Sequence, residues 1–139
     1  MQQQMSVVTL GVADLSRSKR FYVDGFGWRP VFENAEIVFY QMNGFVLGTW
    51  TRDKLAGDSR RPDRDSAGFS LGHNVGSREG VDTAIARLAE HGGAVLRPAD
   101  EPPHGGYRGY VADPDGHAWE IAWNPAFPIS PEGYVTFGI

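Results

Sequence analysis

The 139-residue chain contains no cysteine. That excludes disulfides, thiolate-bound zinc, iron–sulfur clusters and a cysteine nucleophile. It also lacks any excess of basic charge: 17 acidic residues oppose 13 Lys and Arg, for a formal net charge of −4. An acidic chain has no electrostatic footprint for a polyanion, so no nucleic-acid partner is expected. No stretch approaches the roughly 18 apolar residues that span a bilayer. The start, Met1-Gln2-Gln3-Gln4-Met5, has no basic region and leads into no uninterrupted apolar run. No membrane association is expected, and the expected location is the cytoplasm.

Glycine and proline are abundant, 18 and 9 residues, which implies many turns and several short strands. Ser6–Val12, rich in β-branched residues, reads as a strand. Asp14 and Ser16 are N-cap types that open a helix at about 15–23, with Leu15, Phe21 and Tyr22 available to bury. Asp24-Gly25-Phe26-Gly27 ends it. Trp28–Phe32, Ile37–Gln41 and Phe45–Trp50 read as three further strands, with Met42-Asn43-Gly44 turning between the last two. The stretch 51–66 alternates charge, is broken by Gly57 and Pro62, and reads as a solvated linker.

The order then repeats. Gly68–Val75 is a strand, and Ser77 caps a helix at about 78–91 with Val81, Ile85 and Leu88 on one face. Ala94–Arg97 is a strand, and Gly106–Ala112 and His117–Trp123 form a hairpin around Asp113-Pro114-Asp115-Gly116. The chain therefore reads as one α+β domain of two βαβββ modules, about 5–50 and 67–124, with a linker at 51–66 and a tail at 125–139. Eight strands are expected to form an open, groove-forming assembly with the helices outside.

The run Val12-Ala13-Asp14-Leu15-Ser16-Arg17-Ser18-Lys19-Arg20-Phe21-Tyr22 and the hairpin Asp113-Pro114-Asp115-Gly116-His117-Ala118-Trp119-Glu120 resemble the vicinal oxygen chelate superfamily. That superfamily includes glyoxalases, bleomycin-resistance proteins and extradiol dioxygenases. The resemblance covers roughly residues 6–128. It implies the paired βαβββ fold, and it implies a homodimer, to which the apolar tail residues Phe127, Ile129, Tyr134, Val135 and Phe137 also point. In metal-dependent members it implies ligands at positions that fall here on Val7, Leu47, Phe69 and Glu120. Only Glu120 is a ligand type. A divalent metal needs about three to six nitrogen or oxygen donors, so no metal cofactor is expected. Zinc, nickel or iron remains an alternative through displaced ligands, with His73 and His104 as the donors.

His73 lies four residues beyond Phe69, hence on the same face, about 13 Å further along at roughly 3.3 Å per residue. His104 belongs to Pro102-Pro103-His104-Gly105-Gly106, a loop placed to act as a lid. His91 and His117 read as structural. Alternation sends Ala118, Glu120 and Ala122 to one face of their strand and Trp119, Ile121 and Trp123 to the other. The first face is expected to line the groove. Glu120 among apolar neighbours is expected to have a raised pKa unless it is paired, and so to serve as a general base. With a three-residue turn and a bulge, Tyr110 falls opposite Glu120 and Arg108 opposite Ala122. The expected groove comprises Val7, Thr9, Leu47, Trp50, Phe69, His73, His104, Arg108, Tyr110 and Glu120.

Three functions compete. The first is a metal-free protein that binds a small organic molecule in an apolar groove around Glu120. The second is an enzyme using Glu120, with His73 or His104, for acid–base chemistry. The third is a metal-dependent lyase or dioxygenase with displaced ligands.

Overall fold

The computed structural model describes residues 1–3, 5–60 and 69–135. The first module holds β1 (Val7–Val12), α1 (Leu15–Lys19, continued by a π-helical turn Arg20–Gly25), β2 (Pro30–Glu33), β3 (Ile37–Gln41) and β4 (Val46–Thr51). The second holds β5 (Leu71–Asn74), α3 (Arg78–Glu90), β6 (Ala94–Asp100), β7 (Tyr107–Ala112) and β8 (Ala118–Trp123). The sheets run β1-β4-β3-β2 and β5-β8-β7-β6, so the duplication extends to strand order. In each, the first strand pairs parallel with the last.

Local chemistry explains the element ends. The Asp14 carboxylate accepts from the Arg17 amide at 3.0 Å, and the Ser77 hydroxyl accepts from the Gly80 amide at 3.0 Å. Both β2 and β6 are edge strands, which is where Pro30 and Pro98 cost no ladder bond. β6 also runs further than its expected end at Arg97, with two register shifts.

The solvated linker is corrected in part. Arg52–Ser59 forms a helix, α2, ending at Arg60 in the left-handed conformation (φ 54°). No α2 residue is fully buried. Its seat is Gly11 of β1: a Cβ there would lie 3.3 Å from Arg52 and 3.4 Å from Leu55. Lys54 also pairs with Glu36 at 3.4 Å. The rest of that stretch, 61–66, lies outside the described residues.

A second correction concerns the helices. One core cluster joins Leu10, Val38, Tyr40 and Leu47 of the first sheet to Val111, Trp119 and Ile121 of the second, through Phe21, Tyr22, Val81, Ile85 and Leu88. The Tyr22 ring lies 5.8 Å from Tyr40 and 6.0 Å from Trp119. The helices α1 and α3 therefore lie between the sheets, and the second face of each sheet points away from the shared core. Among the described residues no helix is long and apolar enough to cross a membrane.

Candidate functional site

Between β7 and β8, Asp113 and His117 close a turn of three residues, Pro114-Asp115-Gly116. The Asp113 amide donates to the His117 carbonyl at 2.9 Å, the Gly116 amide to Asp113 at 3.0 Å, and Gly116 supplies a φ of +88°. This turn sets the register expected above: Tyr110 faces Glu120 and Arg108 faces Ala122. Trp119 and Ile121 turn into the core and Glu120 turns out, half-buried.

The Tyr110 hydroxyl donates to Glu120 Oε2 at 2.5 Å. That bond is the main reason the Tyr110 phenol is held above its ordinary pKa, and burial adds to it. The phenol is thus a fixed neutral donor, and Glu120 is paired rather than isolated. One residue pair along the same face, the Arg108 guanidinium donates to Asp100, which also accepts from Arg97 at 3.0 Å. Arg97 first, and Arg108 with it, holds the Asp100 carboxyl below the usual range. A cavity of about 460 Å³ opens here, lined by Asn74, His104, Arg108, Glu120, Trp123 and Phe127 among others. The loop bearing His104 turns on Gly105 and Gly106, both at positive φ. At Gly106 a Cβ would meet the Trp123 carbonyl at 2.7 Å, so only glycine allows this approach.

Glu120, Tyr110, Arg108 and His104 are therefore brought together. The other expected groove residues are not. Val7, 50% exposed, and Thr9 occupy the outer face of the first sheet, in register with Val46 and Gly48. Trp50 shares that face, opposite Gly11. Leu47 is corrected to the core face, 1% exposed and opposite Val8. Phe69 precedes β5 and packs near His117, with ring centroids 6.4 Å apart. No residue of β1 to β4 lines the Glu120 cavity. The face is also richer in polar groups than the apolar groove expected.

His73 is likewise corrected. It pairs with Ile121, while Gly72 pairs with Glu120, so His73 points into the core side of β5 and Glu120 to the opposite side. The two cannot act on one substrate atom. Burial holds the His73 imidazole below its ordinary pKa. The residues missed by sequence reasoning are Asn74, which borders cavities on both sides of β5, and the tail residue Val135, which does the same. The tail's apolar character signalled that it covers something; the surface it covers belongs partly to its own chain.

His91 and His117, read above as structural, each place a ring nitrogen against a backbone carbonyl. His91 Nδ1 lies 2.7 Å from the Arg87 carbonyl at the end of α3. His117 Nε2 meets the Gly11 carbonyl at 2.8 Å across the modules.

A divalent metal, as the resemblance implies for some relatives, does not fit the Glu120 face. The outer-face neighbours of Glu120 are Gly72 and Tyr110, and the Arg108 cation lies one pair along. Among the described residues no three His, Asp or Glu side chains converge as a metal-binding group. One carboxylate already bonded to a phenol does not supply the donors such an ion requires.

The two βαβββ modules form the paired fold that the resemblance to the vicinal oxygen chelate superfamily implies. The Glyoxalase/Bleomycin resistance protein/Dioxygenase superfamily model matches residues 4–121, and the chain belongs to that superfamily. A glyoxalase-related enzyme from Fulvimarina pelagi is 55% identical, with 99% of this chain and 100% of that one covered and a TM-score of 0.96. A glyoxalase/bleomycin resistance protein from Albidiferax ferrireducens T118 is 28% identical over 87% of this chain and 98% of its own, with a TM-score of 0.70. The lactoylglutathione lyase of Agrobacterium tumefaciens shares the fold at 20% identity, covering 88% and 95% of the two chains, with a TM-score of 0.67.

Proposed function

We propose that this glyoxalase-like protein binds a small organic molecule, without a metal, on the Glu120 face of its second sheet. The observation that carries this reading is the Tyr110–Glu120 pair at 2.5 Å beside a cavity of about 460 Å³. A cavity of this size holds a small ligand, and a few placed polar groups fix its orientation. Glu120 Oε2 is engaged by Tyr110, which leaves Oε1 to accept from a ligand hydroxyl or amine. Arg108 and His104 supply the opposite polarity. Trp123 and Phe127 give the apolar wall.

The second reading is catalytic. A phenol and a carboxylate sharing a short hydrogen bond are suited to passing a proton, and the 55% identical relative is described as a glyoxalase-related enzyme. In that reading Glu120 takes a proton from a substrate carbon or hydroxyl and Tyr110 steadies the carboxylate.

A thermal-shift screen of small hydroxylated and carbonyl compounds, run on wild type and Glu120→Gln, tests both. Binding is expected to raise the melting temperature of wild type and to weaken tenfold or more in the variant, about 1.4 kcal/mol, as for a lost charge-assisted hydrogen bond. Turnover of a hit, absent in the variant, selects the catalytic reading. Hits that shift both proteins equally remove Glu120 from the site. Stoichiometric zinc, nickel, iron or manganese retained after dialysis of untagged protein overturns the metal-free part.

A homodimer belongs to the same proposal. The outer face of the first sheet exposes Val7, Ile37 and Phe39 to differing degrees, and a second copy would cover them. Sedimentation at micromolar concentration is expected to show a dimer, and a monomer there would contradict it.

A further inference from the structure

We propose that the space around His73, beneath the C-terminal tail, is a second binding site, for a neutral planar aromatic molecule carrying one hydroxyl. The inference is independent of the Glu120 reading, because His73 and Glu120 point to opposite sides of their sheet. The space measures about 400 Å³, within the range of small-ligand sites. Both modules build it: Trp28 and Leu47 from the first, Leu71 and Trp119 from the second.

The tail makes the cover. Ile129 and Val135 bridge to each other, and both border the space together with Gly133. The Asn43 side-chain amide donates to the Gly133 carbonyl at 2.9 Å and pins the tail to the β3–β4 turn. These tail residues lie beyond residue 121, where the match to the superfamily model ends.

The lining states the chemistry. Two tryptophans offer broad apolar surfaces. No charged side chain among the described residues borders the space, so an ionised ligand would lose its hydration with nothing in return. The His73 ring is held edge-on against Phe26, centroids 5.3 Å apart at 77°, and against Trp28 at 6.2 Å and 66°. Neither ring nitrogen has a hydrogen-bond partner among the described residues. A neutral imidazole presents one N–H donor and one lone pair. A ligand hydroxyl satisfies either, and an aromatic ring beside it packs against the surface that the tryptophans, themselves in edge-to-face contact at 5.6 Å, present to the space.

Titration with 2-naphthol, followed by calorimetry, tests the site. Wild type is expected to show one saturable site per chain. Glu120→Gln should keep it. His73→Phe, which preserves a ring and removes both nitrogens, should weaken it tenfold or more. Leu71→Trp should abolish it by filling the space, and Ile129→Trp, which borders this space and not the Glu120 cavity, does so from the tail side if Leu71→Trp fails to fold. The proposal is overturned by an absence of saturable heat in wild type, by equal affinity in His73→Phe, or by loss in Glu120→Gln, which would move the naphthol to the other face.

Discussion

At Glu120 a half-buried carboxylate is stabilised by one short hydrogen bond from a phenol that is itself kept neutral by that bond. Removing the donor leaves Oε2 without its partner, so Tyr110→Phe should lower stability by about 1–2 kcal/mol at neutral pH. In a Glu120→Gln background the same change should cost clearly less, because the coupling has already been cut. Chemical denaturation of the four proteins of that cycle checks it; equal costs in both backgrounds would mean that the bond contributes nothing. His73 illustrates the opposite situation, a titratable group that burial holds neutral. Its folded pKa is lowered, so below about 6.5 the unfolded chain binds the proton and the folded chain resists it. Stability is then gained as pH rises through that window and lost as pH falls, by at most about 1.4 kcal/mol per pH unit for one group. Melting curves from pH 8 to pH 5 should fall less steeply for His73→Phe than for wild type. Parallel curves would remove His73 from the acid response.

The elements differ in how openly the sequence declares them. β8 alternates cleanly, and its outward Glu120 and the register with Tyr110 are both legible. β4 does not alternate: Leu47, Gly48 and Thr49 are all buried, so period two carries no phase, and Leu47 is easily turned to the wrong side. β5 is four residues long and starts after Phe69, too short to fix which face the preceding residue joins. α2 lacks any apolar stripe, and only its seat on Gly11 shows why it is helical. α3 has the opposite character. Its Val81–Ile85–Leu88 stripe is plain in the sequence, but the sheet it meets must be flattened to receive it. At Gly109 of β7 a Cβ would come within 2.6 Å of Ile85 Cδ1 and 2.9 Å of the Arg97 carbonyl. The isoleucine could move, whereas the backbone carbonyl could not. Gly109→Ala should therefore cost about 1–3 kcal/mol through overpacking, read as a lower denaturation midpoint. An unchanged midpoint would mean that β6 shifts freely away from β7.

On the scale of the whole molecule, the motif that signals the family in sequence also fastens the two modules together. Asp113 accepts the Tyr22 hydroxyl at 2.7 Å, and Tyr22 in turn accepts the Trp119 indole N–H at 3.1 Å. Two residues on, Asp115 accepts the Ala13 amide at 2.8 Å and Arg17 at 3.0 Å, and His117 reaches the Gly11 carbonyl. Hairpin residues from one module thus satisfy polar groups at the β1–α1 junction of the other. The Asp-Pro-Asp-Gly run is legible as a turn, but its cross-module partners are not, because nothing local in the sequence links residues about a hundred positions apart. The same junction explains why Glu120 does not face the first sheet: the helices and the core cluster lie between the sheets, and Glu120 points away from them. Burial raises the pKa of both Tyr22 and Asp113, so each relies on the other's hydrogen bond in place of water. Tyr22→Phe removes the hydroxyl and strands the Asp113 carboxyl oxygen and the Trp119 N–H inside a shared core. The expected loss is about 1–3 kcal/mol for the buried groups left unpaired. Because one cluster joins both sheets, the loss should appear as a single transition moved to lower temperature, with both modules melting together. Calorimetry decides this. Two separated transitions in the variant would show that the modules are independent cores held by the latch alone, and an unshifted single transition would show that the latch adds nothing to their packing.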